Sequence, residues 1–150
     1  MARTADRYLK KSTQAKKTPE KYDVGNYLRL SVDSDYTGSD SLENQRKLAQ
    51  EFVSRYPDLN IVREYVDDGK TGTDFSRPAF SRMIADLKAG IINCVVVKDL
   101  SRFGREYIEA GNYIEKVFPF LGVRFISIVD RYDSADENCS RELLLISLKN

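Results

Sequence analysis

The chain of 150 residues contains no histidine, and it has only two cysteines and four prolines. Without histidine, a Ser-His-Asp triad cannot form, and the commonest protein ligand of transition metals is missing. Carboxylates are then the only plausible ligands for a metal site. A hydroxyl nucleophile in this chain must rely on another base or on strong stabilisation of transition-state charge. The absence of histidine therefore favours chemistry that is promoted by cations.

Long apolar stretches are also absent. No run approaches the roughly 20 residues that a membrane-spanning helix needs, and the amino terminus is polar, unlike a signal sequence. Cys94 lies within an apolar segment and Cys139 in a predicted late loop, which is a poor arrangement for a structural disulfide. We therefore expect two free thiols in a cytoplasmic protein.

Charge is unevenly distributed, although the formal net charge is only +1. Residues 1–21 carry seven basic and two acidic side chains, whereas residues 22–150 carry 17 basic and 21 acidic ones. A basic tail of this kind is either a solvated, flexible arm or a source of non-specific phosphate contacts, and both interpretations stay open. With 41% hydrophobic residues, the rest of the chain suffices for one domain with a sizeable core.

The hydrophobic pattern predicts alternating strands and helices. The predicted strands are 24–30, 60–67, 91–97 and 123–129. The predicted helices are 42–56, 78–90, 106–121 and a fourth that begins after residue 140. Pro119 favours a kink or an early end of the third helix, and Ser140 is a candidate cap of the fourth. We expect an α/β fold of three layers, in which helices cover both faces of a four-stranded, mainly parallel sheet.

Polar residues gather where two of these strands end. Tyr27, Arg29 and Ser31 alternate along the end of the first strand and share one face, and Arg102 and Arg105 follow the apolar third strand. Open α/β sheets build their sites at the carboxyl ends of the strands. A hydroxyl among several guanidinium groups, in a chain without histidine, suggests attack on a phosphate rather than on a carbonyl.

Five segments together resemble a known family. They are 27–31, 41–46, 67–72, 76–78 and 100–105. In this order they are similar to the catalytic domain of the serine recombinases, the resolvase/invertase family. The segment 106–134 looks most like the large serine recombinases of phages and conjugative transposons. The resemblance implies a resolvase-like fold, attack of a serine on a DNA phosphodiester, a 5′-phosphoserine intermediate, strand exchange and rejoining, with no ATP or metal cofactor.

The resemblance also implies the site residues. Ser31 matches the nucleophile, and Arg29, Arg102 and Arg105 match the phosphate-binding arginines. The remaining matched or neighbouring candidates are Arg77, Asp67, Gln45 and Tyr27.

One position departs from the family pattern. Many small resolvases carry an aspartate where this chain has Ser101, so that the role of that carboxylate is either absent or displaced to Asp99. The proton acceptor for Ser31 also stays open, with Asp67 as a candidate.

Two other functions compete with this interpretation. Asp67, Asp68, Asp99 and Asp130 all lie near predicted strand ends and could hold Mg²⁺ in a metal-dependent nuclease or phosphotransferase. The chain also lacks a helix-turn-helix or zinc-ligand pattern, which is compatible with a non-catalytic, DNA-associated module.

The expected organisation is a basic flexible tail at 1–22 and a catalytic domain at 23–150. The resemblance implies that the last helix is truncated here and that a DNA-binding region is missing. It also implies double-stranded DNA as partner and a homodimer or tetramer in the full-length protein, so we expect a monomer or weak dimer for this chain. The polar loops 32–41 and 68–76 are expected to be the least ordered parts after the tail.

Overall fold

The structure, a computed structural model, describes residues 19–30, 41–68, 77–104 and 107–149. Most of both loops that were expected to be poorly ordered lies outside the described residues, as do the candidate residues Ser31 and Arg105.

A single five-stranded sheet forms the centre of the fold, with strand order β2-β1-β3-β4-β5. The strands are β1 (Tyr22–Arg29), β2 (Leu59–Asp67), β3 (Cys94–Val97), β4 (Arg124–Ser127) and β5 (Tyr132–Asp133). The first four run parallel, and β5 is antiparallel to β4. The predicted sheet of four parallel strands is therefore correct but incomplete, because β5 lies between the predicted strand 123–129 and the predicted last helix, where no strand is expected. A strand of two residues is too short to show an alternating pattern.

Helices cover both faces, as predicted. They are α1 (Leu42–Ser54), α2 (Pro78–Lys88), α3 (Leu100–Phe103), α4 (Tyr107–Asn112), α5 (Phe118–Leu121) and α6 (Arg141–Lys149), with a π-helical turn (Tyr113–Val117) between α4 and α5. The predicted cap Ser140 is confirmed, since its Oγ accepts from Leu143 N at 3.3 Å, and Ser41 caps α1, since its Oγ accepts from Asn44 N at 3.2 Å. None of the helices in the described part of the chain is long and apolar enough to cross a membrane.

The π-helical turn lies directly before Pro119, where a kink or an early end of the helix is expected. Proline has no amide hydrogen and cannot donate to the carbonyl four residues earlier. Just before this proline, the amide of Phe118 donates to the carbonyl of Tyr113, five residues back, which is π-helical pairing. The helix thus continues past Tyr113 to Leu121 and ends at Gly122, whose φ of 70° lies in the left-handed region.

Two buried clusters lie on opposite faces of the sheet. The smaller cluster includes Val24, Ala49, Val53 and Cys94, and α1 covers it. The larger includes the aromatic side chains of Tyr27, Phe80, Phe103, Phe118 and Phe125, and it is covered by the other helices. Both cysteines are free, as predicted. Since Tyr27 and Phe103 belong to the larger cluster, the elements that carry the candidate site are anchored in the core.

Candidate active site

Six of the eight candidate residues are described, and they meet at the carboxyl ends of β1, β2 and β3. They are Tyr27, Arg29, Gln45, Asp67, Arg77 and Arg102. Parallel strands bring these ends to one edge of the sheet, which explains why residues separated by up to 75 positions come together. The structure therefore gathers these side chains at the edge of the sheet where the sequence predicts the site.

Asp67, the last residue of β2, connects β1, β2 and α2. Its Oδ2 accepts hydrogen bonds from the phenol of Tyr27 at 2.7 Å and from Phe80 N at 3.0 Å, and its Oδ1 accepts from Ala79 N at 3.0 Å. The first amides of a helix have no partner within the helix, and Arg77 at the N-cap position makes no side-chain cap. The carboxylate of Asp67 supplies that cap from the neighbouring strand.

Tyr27 lies directly beneath this edge of the sheet and is almost fully buried. Burial raises the pKa of the Tyr27 phenol far above its usual range, and the nearby guanidinium of Arg77 opposes the shift only in part. The phenol is therefore protonated at neutral pH, donates to Asp67, and accepts from Arg77 Nε at 3.2 Å. Tyr27 links the carboxylate of Asp67 to the guanidinium of Arg77.

Gln45 holds the end of β1 through its amide side chain. Its Nε2 donates to the carbonyl of Arg29 at 3.0 Å, and its Oε1 accepts from the amide of Arg29 at 3.3 Å. Gln45 lies on the buried face of α1. This pair of bonds fixes the backbone two residues before Ser31.

The guanidinium of Arg29 reaches across to α3, where its Nη2 donates to the carbonyl of Ser101 at 2.5 Å and its Nε to that of Arg102 at 3.2 Å. In return, Arg102 Nη1 donates to the carbonyl of Arg29 at 3.3 Å. The two arginines are thus held side by side.

Arg77 reaches the same short helix from α2. It donates to the carbonyl of Phe103, its Nη1 lies 2.9 Å from Glu109 Oε1, and its Cζ lies 3.9 Å from the centre of the Phe80 ring. Arg29 and Arg77 together donate to the last three carbonyls of α3. These carbonyls form the carboxyl-terminal end of the helix, where cations are favoured.

Gly104 permits the close approach of α3 to α4. A Cβ added at Gly104 would lie 2.9 Å from the Cβ of Ala110, a distance that requires something to move. The close packing brings Glu109 within reach of Arg77.

Several residues of this arrangement could not be found by sequence reasoning. Asp130 Oδ2 accepts from Leu100 N at 2.8 Å, and Glu109 pairs with Arg77, across separations of 30 and 32 positions. No local pattern signals such pairs. Asp99 does have a local signal, since aspartate just before a helix is a preferred N-cap. Its Oδ1 accepts from Arg102 N at 3.1 Å and from the hydroxyl of Ser101 at 2.5 Å.

The carboxylates proposed for a metal site do not form one. Asp67 caps α2, whereas Asp99 and Asp130 cap α3, so their oxygens accept from backbone amides. Among the residues that the structure describes, no three acidic, histidine or cysteine side chains are placed to hold a metal ion. The alternative metal site from Asp67, Asp68, Asp99 and Asp130 is therefore not formed within the described ranges.

Comparison with known proteins identifies the family of the chain. The family profile "Resolvase, N terminal domain" matches residues 24–148. A resolvase family site-specific recombinase from Streptococcus pneumoniae is 32% identical, with a TM-score of 0.68 over 86% of this chain and 84% of that one. No curated protein sequence matches the chain.

Two further solved structures share the fold. The catalytic domain of TP901-1 integrase is 24% identical, with a TM-score of 0.67 over 85% of this chain and 91% of that one. The catalytic domain of ISC1926 TnpA, an IS607-like serine recombinase, is 21% identical, with a TM-score of 0.57 over 71% of this chain and 69% of that one. The family expected from the five sequence segments is thus confirmed, and the chain belongs to the resolvase N-terminal domain family, as the catalytic domain of a site-specific serine recombinase.

Proposed function

We propose that Ser31 is the nucleophile of this recombinase and that it attacks a phosphodiester of double-stranded DNA. The serine oxygen forms a bond to phosphorus, the bond from phosphorus to the 3′ oxygen breaks, and the strand end leaves as a 3′-hydroxyl. The serine proton passes to a base, and a proton reaches the 3′ oxygen. The 5′-phosphoserine bond retains the energy of the original ester, so attack by a new 3′-hydroxyl rejoins the strands without ATP.

The observation that carries this proposal is the gathering of three arginines around α3, beside the residue that precedes Ser31. Arg29 at the end of β1 and Arg77 at the start of α2 both donate to carbonyls of α3, the helix that contains Arg102. The amide of Leu30, one residue before Ser31, donates to the carbonyl of Asp67 at 3.0 Å. The backbone that leads into Ser31 is therefore anchored beside the arginines.

The arginines supply what phosphoryl transfer needs most. Charge builds up on the phosphate oxygens in the transition state, and guanidinium groups stay charged and donate two parallel hydrogen bonds. We assign phosphate binding to Arg29, Arg77 and Arg102, with Arg105 as a fourth candidate outside the described residues.

We assign positioning roles to Tyr27, Gln45 and Asp67. The carboxylate of Asp67 accepts three hydrogen bonds, which argues for a supporting role rather than that of the base for Ser31. The raised pKa of the Tyr27 phenol likewise favours a donor rather than a base. Gln45 holds the backbone of Arg29 and thereby the start of the segment that contains Ser31.

We further propose that the full-length protein acts on DNA in the cytoplasm as a dimer or tetramer, whereas this chain, with a basic tail at 1–22 ahead of the catalytic domain at 23–150, is a monomer or weak dimer. Large apolar side chains on α4 and α6 support assembly, because Ile108 is 80% and Leu143 70% exposed. Apolar surface of this kind is typical of protein interfaces. The metal-dependent and non-catalytic alternatives find no comparable support.

The decisive experiment replaces the proposed nucleophile. In the full-length protein, Ser31→Ala should abolish the covalent protein–DNA adduct on a denaturing gel, while folding and DNA affinity stay near wild type, because only one hydroxyl is removed. Ser54→Ala is the matched control, since the Ser54 hydroxyl is exposed and donates to the nearby carbonyl of Glu51. An adduct that persists in Ser31→Ala would overturn the assignment.

A further inference from the structure

The helix that carries Arg102 is only four residues long, Leu100–Phe103. Nucleating a helix is unfavourable, and a single turn gains too few internal hydrogen bonds to compensate. The orientation of α3 must therefore come from groups outside it. Packing supplies part of this, because Leu100 and Phe103 are buried in the larger core cluster.

Two carboxylates hold the amino-terminal end of α3. Asp99 is the adjacent N-cap residue and moves with the helix. Asp130 belongs to a different element, the hairpin turn between β4 and β5, and its Oδ2 accepts from Leu100 N at 2.8 Å. Asp130 therefore ties the first amide of α3 to the neighbouring strand.

The position of Asp130 is itself determined by the hairpin. The hydroxyl of Ser127, a fully buried residue at the end of β4, donates to Asp130 Oδ2 at 2.6 Å. The next residue, Arg131, has a φ of 54°, in the left-handed region where side chains other than glycine are strained. Strained backbone of this kind is often found next to functional sites.

We propose that Asp130 is a positioning residue for DNA cleavage, which holds Leu100 N and thereby sets the place of Arg102 and of the carbonyls that orient Arg29. This role rests on the proposed function of the arginines. A displacement of about 1 Å in a catalytic group can reduce a rate by about 10²-fold, so a small shift of α3 is sufficient. Asp130 acts through α3 and not by touching DNA.

The test compares variants of Asp130, made in the full-length recombinase, in single-turnover adduct formation with duplex DNA that carries the recombination site. Asp130→Ala should lower the cleavage rate by about 10²-fold with little change in DNA affinity. Asp130→Asn should recover most of the rate, because its carbonyl oxygen can still accept from Leu100 N. Asp136→Ala is the matched control, since Asp136 lies in the same loop region and its Oδ1 accepts from Asn138 N. Wild-type cleavage by Asp130→Ala would overturn the role.

A double-mutant cycle separates positioning from a general loss of structure. If Asp130 acts through α3, adding Asp130→Ala to Arg102→Ala should lower the rate by clearly less than the about 10²-fold expected in the wild-type background, because only the orientation of Arg29 remains to be lost. A full multiplicative loss would overturn the positioning role. Wild-type cleavage by Arg102→Ala alone would instead overturn the proposed function of the arginines.

A measurement without DNA checks the contact directly. In Asp130→Ala, hydrogen exchange of the Leu100 amide should accelerate at least about tenfold, because its acceptor is gone. Unchanged protection of this amide would contradict the proposal. If the Ala variant does not fold, because the buried hydroxyl of Ser127 has lost its acceptor, the double variant Asp130→Ala, Ser127→Ala removes that hydroxyl and allows the same measurement.

Discussion

Arg29 and Arg102 each donate a hydrogen bond to the backbone carbonyl of the other, at 3.2 and 3.3 Å. Two like charges that belong to β1 and to α3 are thereby held together. The carbonyl oxygens of α3 carry partial negative charge, which offsets part of the repulsion between the guanidinium groups. The pair links the strand that leads into Ser31 to the helix after β3, so a change in either arginine should affect both elements.

Replacement of Arg102 should affect cleavage far more than binding. Arg102→Ala should slow adduct formation by on the order of 10³-fold or more, and Arg102→Lys should restore little. An ammonium group cannot bond to the Arg29 carbonyl and also make a bidentate contact with a phosphate. Single-turnover cleavage measures the effect. Arg46→Lys is the control, because Arg46 is partly exposed and pairs with Glu64 on the surface. Wild-type cleavage by Arg102→Lys would contradict bidentate phosphate binding.

Removal of the Asp67 carboxylate should destabilise the fold. Asp67→Ala leaves Ala79 N, Phe80 N and the Tyr27 phenol without their acceptor, so we expect a loss of about 2–4 kcal/mol. Asp67→Asn should also destabilise, because its NH₂ group would face a donor. Tyr27→Phe removes one of the three bonds and should lower the free energy of unfolding by about 1 kcal/mol.

Urea denaturation measures these differences. Glu43→Ala is the control, since the exposed ion pair of Glu43 with Lys47 should contribute at most about 0.5 kcal/mol. Equal stability of Asp67→Ala and the wild type would show that the three bonds do not hold α2 in place.

Glu109 should restrain Arg77 before DNA binds. Its carboxylate and a DNA phosphate compete for the same guanidinium, so Glu109→Gln should increase the rate of adduct formation by about two- to fivefold. The neutral amide keeps the shape of the side chain and removes the competing charge. Glu115→Gln, an exposed position on the following π turn, is the control. A slower Glu109→Gln variant would mean that Glu109 orients Arg77 productively and does not compete for it.

Alkaline pH should destabilise the protein through Cys94. Burial raises the pKa of the Cys94 thiol, so the folded state keeps a proton that the unfolded state releases above about pH 8.5. The contribution is fully present below that pH and is lost as pH rises, at up to about 1.4 kcal/mol per pH unit. Chemical denaturation between about pH 8 and 10 should show this slope. Cys94→Ala should reduce the slope and Cys139→Ala should keep it; an identical slope in both variants would contradict the prediction.

The sequence by itself determined the layers of the fold and the place of the site. Apolar runs identified four strands and caps identified helix starts, because both signals lie within a few neighbouring residues. Arg29 and Arg102 could be brought to one edge because parallel strands must align their carboxyl ends. The family pattern added Gln45, Asp67 and Arg77.

Only the tertiary structure decided how these side chains are held. Asp67 caps a helix that begins 11 residues later, Asp130 supports α3 from 30 residues away, and Glu109 pairs with Arg77 across 32 positions. The two-residue strand β5 likewise forms because β4 offers it an edge. Such contacts depend on where separate elements pack. The hydrophobic periodicity of the sequence, in contrast, indicates only which face of an element is buried. The physical reason is that a hydrogen bond between distant residues leaves no local signature in the chain.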